Sequence, residues 1–136
     1  LFSREKYNVN CRKLIEMDKS EQLKTSVYLE SLRNSSRLKL LPDANFVFNR
    51  SVCGAYREVR GYDKHRVTDS EADFPLAFII LVNKEVEHFD RLLRAIYRPH
   101  NIYAVHVDEK SSPTVKQAVR SIVDCFDNVF ITTKSE

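Results

Sequence analysis

From Phe74 onward the apolar residues fall into a run, a stripe, a run, a second stripe and a third run. Leu76 to Val82 are seven consecutive apolar residues. That is too short to cross a membrane, and it suits a strand buried on both faces of a parallel sheet flanked by helices. Phe74-Pro75 leads into the run, and a proline fits where the first residue of a strand needs no amide donor. After Asn83-Lys84 the spacing turns helical. Val86, Phe89, Leu92, Leu93, Ile96 and Tyr97 share one face, with Glu87, Asp90, Arg91 and Arg94 on others. Pro99 and Asn101 stop this helix, Ile102 to Val107 predicts a second strand, and Asp108 stands at its end.

The unit then repeats. Ser112 before Pro113 predicts an N-cap followed by proline in the first turn. Val115, Ala118, Val119, Ile122, Val123 and Phe126 make the cleanest helical stripe in the chain, and Val129 to Thr133 predicts a third strand. The expected class is therefore α/β, a βαβαβ parallel sheet. Three strands leave sheet edges needing neighbours, so the sheet is expected to be incomplete and part of a larger domain.

Upstream the pattern is weaker. Leu1 to Lys13 is polar and unpatterned, and is expected to be a stem or linker. A helix is predicted from Asp18 to Arg33, with Leu23, Val27 and Tyr28 on a thin apolar face. Asn34-Ser35-Ser36 breaks it and Leu41-Pro42-Asp43 forms a turn. Phe46 to Tyr62 carries enough apolar groups to dock on a core as a short helix, and Asp63 to Asp73 reads as a charged connector. The division expected from these patterns is 1–73 as stem and helical segment, and 74–136 as the α/β part.

Composition narrows the picture. At 43% hydrophobic and 30% charged, the 136 residues describe a globular chain rather than a disordered one. The only glycines, Gly54 and Gly61, precede the first strand, which excludes a glycine-rich phosphate loop. The net charge of +3 comes from the leading segment: residues 1–50 hold ten Lys/Arg against six Asp/Glu, while residues 74–136 hold eight of each. A neutral α/β part without a basic stripe argues against nucleic-acid binding. No stretch approaches the roughly 20 apolar residues of a membrane helix and no signal-peptide pattern is present. Leu1 in place of a methionine suggests a piece of something longer.

Cys11, Cys53 and Cys125 are an odd number, open to free thiols or to disulfides. The sequons Asn34-Ser35-Ser36 and Asn49-Arg50-Ser51 favour the secretory pathway, where disulfides persist. Ligands of open α/β sheets gather at the carboxyl ends of the strands, where this chain has Asn83-Lys84 and Asp108-Glu109-Lys110. An acidic group there can bind ribose hydroxyls. The residues alone leave open whether Asp108 and Glu109 do so or simply begin an exposed loop. Asp-Glu-Lys is not an Asp-X-Asp metal motif, and no histidine or cysteine cluster lies nearby, so no protein metal site is expected. None of His65, His88, His100 and His106 has a nucleophile partner, and His106 is expected to be a core or half-core residue.

Together FPLAFIILVNKEVEHFDRLLRAIYRPHNIYAVHVDEK and CFDNVFITTKSE closely resemble the core 2/I-branching β-1,6-N-acetylglucosaminyltransferases. The signals are FP before an apolar strand, DRLLRAIY with its proline turn, the HVD strand end and CFDNVF, with NVNC and the sequon before Cys53 fitting more loosely. The resemblance runs from about Asn8 to the last residue. It implies a GT-A-like, Rossmann-like fold in a type II Golgi membrane protein, with a lumenal catalytic domain and an anchor upstream. It implies transfer of N-acetylglucosamine from UDP-N-acetylglucosamine to a 6-hydroxyl of a glycan acceptor on glycoproteins, inverting and with no metal or other cofactor.

Leu81, Val82 and Asn83 match the family's first donor-contact segment, and Asp108, Glu109 and Lys110 match its second. Cys53 and Cys125 match a disulfide pair, and Cys11 matches a cysteine whose partner lies beyond this chain. The chain departs from the family at Asn83, where histidine is common, and at Ala104, where cysteine is common. The catalytic glutamate and the residues that neutralise the leaving diphosphate are expected downstream of Glu136, so these 136 residues alone are expected to be inactive. Two rivals follow. One is a non-catalytic Golgi family member that binds or associates without transfer. The other is a phosphoacceptor receiver module, which would need an acidic pair where Val82-Asn83-Lys84 stands.

Overall fold

The computed structural model describes residues 9–33, 40–64 and 66–132. The chain divides into two compact units, one within residues 4–40 and one running from Leu41 to the C-terminus.

In the first unit, helix α1 (Cys11–Ile15) is capped by Asn10, whose side chain accepts from the Lys13 amide. This short helix lies where an unpatterned stem was expected. Met17 takes a left-handed conformation (φ 60°) that turns the chain. Asp18 then accepts from the Glu21 amide at the start of helix α2 (Lys19–Arg33). The predicted helix is present, but its expected apolar face is not a buried one, since Leu23 and Val27 are 68% and 63% exposed. Glu21 is buried instead, accepting from the Asn10 amide at 2.9 Å.

The second unit is built on strands β1 (Ala77–Val82), β2 (Ile102–Val107) and β3 (Val129–Ile131), parallel and in the order β1-β2-β3. Helix α5 (Val86–Ile96) joins the first two strands and helix α6 (Pro113–Val123) joins the last two. This is the predicted βαβαβ sheet, consistent with an incomplete GT-A-like fold. The register pairs Ala77 with Ile102 through Val82 with Val107, and Tyr103 with Val129 through Val105 with Ile131.

Burial on both faces of the first strand does not hold among the described residues. Ile80 and Val82 are buried, whereas Ile79 and Leu81 are 78% and 76% exposed. Ile102, His106 and Phe130 are exposed too, on the face of the sheet that the helices leave open. The cause is topological. Two right-handed crossovers that advance in the same direction put both helices on one face of the sheet.

The segment from Leu41 to Ala72 packs into the same unit as the sheet, so packing crosses residue 73 without a break. Its centre is helix α3 (Cys53–Arg60), within the stretch expected to dock on the core. Phe46, Tyr56 and Tyr62 are all at most 1% exposed. Gly61 ends α3 at φ 76°, and its amide donates to the Arg57 and Glu58 carbonyls, as a left-handed helix terminus allows. Within the predicted connector lies a further helix, α4 (Asp69–Ala72), opened by a capping box between Thr68 and Glu71.

This segment recruits the acids of α5 that periodicity places on polar faces. Asp43 accepts from the Val86 amide at 2.8 Å, satisfying an orphan donor at the helix start. Glu87 accepts from the Leu41 amide and from Arg91. Burial raises the Glu87 carboxyl, but these two donors outweigh it and hold the group below its usual range. Asp90, fully buried, accepts from the hydroxyls of Tyr56 and Tyr62 and pairs with buried Arg60. Both phenols are pushed well above the ordinary tyrosine value, first by burial and then by nearby groups that include Asp90.

A disulfide joins Cys53 on α3 to Cys125 just after α6, the pair implied by the resemblance. It spans 72 residues, and under a chain-entropy account a loop of that length adds roughly 4 kcal/mol. At the amino ends of the strands, Asn128 donates to the Arg98 and Asn101 carbonyls and accepts from the Tyr97 hydroxyl. Asn101 in turn accepts from the Leu76 amide. That end of the sheet is closed.

Candidate functional site

The opposite end is open. At the carboxyl ends of β1 and β2 lies a hollow of about 380 Å³, lined by Leu81, Val82, Asn83, His106 and Asp108. Strand alternation explains the set. Leu81 and Asn83 lie two apart along β1 and its extension, His106 and Asp108 two apart along β2 and its extension. Leu81 is paired in register with His106. All four therefore belong to the open face of the sheet. Val82 points to the core and can offer only its backbone to the hollow.

Backbone and short side chains fix the rim. The Asp108 amide donates to the Val82 carbonyl at 2.9 Å, carrying the ladder one step past the strand. Asp108 Oδ1 accepts from the Lys110 amide at 2.8 Å, and the Ser111 amide donates to the Asp108 carbonyl. The Ser111 hydroxyl then reaches across to the Asn83 carbonyl at 2.8 Å. Ser111 is buried, and it ties the second strand end to the first. One Asp108 oxygen, Oδ2, has no protein donor among the described residues. An acidic group held this way can accept from sugar hydroxyls with no further rearrangement of its loop.

The six predicted contact residues are thus not equivalent. Leu81, Val82, Asn83 and Asp108 are gathered around one hollow. Glu109 and Lys110 are exposed and do not line it, and the Glu109 carbonyl accepts from Lys116 Nζ at 2.7 Å. His106, expected to be a core or half-core residue, is exposed on the open face and lines the hollow. Its place two residues before Asp108 on a strand was the available signal. Ser111 was also missed, because a lone serine following Glu109 and Lys110 carries no pattern of its own; only the folded loop shows its reach to Asn83.

A larger hollow of about 530 Å³ lies between residues 47–50 and α6, lined by Phe48, Arg50, Gln117, Arg120 and Asp124 among others. It is away from the strand ends, where ligands of parallel sheets collect, so the smaller one is the better candidate. Asn49 is exposed on its rim, and Asn34 lies outside the described residues. Cys11 is exposed and free. Among the described residues no group of three or more His, Cys, Asp or Glu is placed to hold a metal ion. None of the described helices is long and apolar enough to cross a membrane.

Residues 76–136 match the model of the core-2/I-branching enzyme family. Over 129 residues, 95% of this chain, the sequence is 37% identical to mouse beta-1,3-galactosyl-O-glycosyl-glycoprotein beta-1,6-N-acetylglucosaminyltransferase 3. It is 35% identical to the human protein of that name over the same length. It is also 35% identical to the beta-1,3-galactosyl-O-glycosyl-glycoprotein beta-1,6-N-acetylglucosaminyltransferase of bovine herpesvirus 4. In each case the match covers 29% of the relative, so the chain spans under a third of the length of these curated relatives. With the βαβαβ sheet, the strand-end hollow and these matches together, residues 76–136 carry a core-2/I-branching enzyme domain.

Proposed function

We propose that this chain forms the donor-binding end of an N-acetylglucosaminyltransferase. In this reading UDP-N-acetylglucosamine lies against the carboxyl ends of β1 and β2, with Asp108 accepting from its hydroxyls and the backbone beside Leu81, Val82 and Asn83 meeting the base. The observation that carries it is the hollow in which Asn83 and Asp108 converge, its rim fixed by Ser111, in a chain that carries a core-2/I-branching enzyme domain. The sugar passes in β-1,6 linkage to a glycan acceptor on a glycoprotein. The transfer inverts the anomeric centre and requires no metal in this reading, and Asp108 is the one carboxylate among the described residues that lines the hollow.

Glu109 and Lys110 act in this reading by shaping the loop rather than touching the donor. An inverting transfer also needs a general base for the acceptor hydroxyl and positive charge on the departing diphosphate. Both are assigned to sequence outside these 136 residues. The division into a stem over 1–73 and a catalytic part from 74 onward is kept as a functional division. The protein works on the lumenal side of the Golgi membrane, held by an anchor outside this chain, with Asn34 and Asn49 as glycan acceptors.

Calorimetry of the intact protein with UDP tests the reading. Binding that Asp108→Ala abolishes supports a donor site at this end of the sheet. A folded protein that ignores UDP sinks it and favours a family member that binds partners without transfer.

A further inference from the structure

His106 is unused by the donor site as outlined so far, and its hydrogen bonds define what it offers. Its Nδ1 lies 3.3 Å from the Thr132 hydroxyl. That hydroxyl lies 3.4 Å from the Val105 carbonyl, which can only accept. A hydroxyl carries one proton. Once it is given to Val105, the Thr132 oxygen can meet the imidazole only as an acceptor. Neutral His106 must then carry its proton on Nδ1, which leaves Nε2 as a lone-pair acceptor. Nε2 has no hydrogen-bond partner among the described residues. The ring lines the hollow together with Asn83 and Asp108.

We propose that His106 is a further ligand-binding residue, whose Nε2 accepts a hydrogen bond from an N–H or O–H donor on the nucleoside part of the bound nucleotide. The inference rests on the donor-site reading above and adds to it a specificity element. Asp108 supplies a carboxylate acceptor and His106 an imidazole acceptor, so the hollow favours a ligand that shows it two donors. A nucleoside with a ribose diol and an imide N–H has that character. A phosphate group, which has only acceptors when ionised, does not. Thr132 is the positioning residue, acting through the tautomer it imposes.

The test is the affinity of the intact protein for UDP in four forms: wild type, His106→Phe, His106→Gln and Thr132→Val. Phenylalanine keeps the ring and removes the acceptor, and is expected to weaken UDP binding by about tenfold, the equilibrium cost of roughly one hydrogen bond. Glutamine can place its carbonyl oxygen near the position of Nε2 and should stay within about threefold of wild type. Thr132→Val frees the tautomer and should fall between the two.

Uridine should show the same His106→Phe loss as UDP. With 2′-deoxy-UDP, 3′-deoxy-UDP and 3-methyluridine, the loss should vanish for whichever analogue lacks the donor that His106 meets. His106 is exposed, so melting temperatures of the variants should match wild type and separate binding from folding. Equal UDP affinity in His106→Phe and wild type overturns the inference and leaves the donor site standing. So does an equal loss in His106→Phe and His106→Gln, which would make the ring a matter of shape. No UDP binding by folded wild type overturns the donor-site reading and this inference with it.

Discussion

Asp90 and Asp108 are two carboxylates of one small sheet unit, and their surroundings are opposite. Asp90 sits mid-helix with no exposure, and two tyrosines and an arginine meet its oxygens. Asp108 sits just past a strand, partly exposed, with one oxygen engaged by its own loop and the other open to the hollow. A buried charge with all its partners present contributes cohesion, and a half-satisfied charge at an opening is available to a ligand. The same residue type therefore serves the fold in one place and recognition in the other.

The sharpest break in that contrast is Asp90→Ala. It leaves Arg60 charged and buried without its carboxylate, and is expected to cost about 3–5 kcal/mol by urea unfolding. A loss under about 1 kcal/mol would mean that the cluster is not the cohesive element assigned to it. Replacing Cys53 and Cys125 together with serine should cost roughly 2–4 kcal/mol, read as a drop in the denaturation midpoint that matches reduction of the wild type.

Alkaline pH probes the same cluster more gently. Tyr56 and Tyr62 keep their protons in the folded state above the ordinary tyrosine value of 10.0, while the unfolded chain loses them there. The folded state then binds more protons than the unfolded one, so stability is intact below about pH 10 and falls as pH rises beyond it. Thermal melts across that window should show the decline, and Tyr62→Phe should lessen it. The smallest structural effect belongs to Asp108→Asn. It preserves the acceptor for the Lys110 amide and should leave stability within about 0.5 kcal/mol of wild type. Its cost should appear in UDP affinity instead, and a large stability loss would erase the contrast between the two acids.

The sequence made some of this legible and hid the rest for identifiable reasons. Helix α6 could be read almost whole, because Ser112, Pro113 and the Val115 to Val123 stripe are local signals. The capping box of α4 is equally local, with Thr68 and Glu71 three apart, but it lies within a charged stretch that masks it. Strand β1 was visible as a strand, yet an unbroken apolar run does not say which face a helix covers, and Ile79 and Leu81 lie bare. Asp90 was read as a polar-face residue because its partners are 28 to 34 positions away in sequence. At the strand ends, topology led to Asn83 and Asp108. His106 required the further step of counting strand parity back from Asp108, and Ser111 required the loop itself.

The ties from Asp43 to Val86, Leu41 to Glu87, and Tyr56, Arg60 and Tyr62 to Asp90 bear on where such a protein can be cut. The family model begins at residue 76, but a fragment excised there would strip α5 of every one of those partners. It would keep the open end of the sheet and lose what anchors the helix beside it. The stretch that matches the family and the compact unit that holds the sheet have different borders, and the second begins near Leu41.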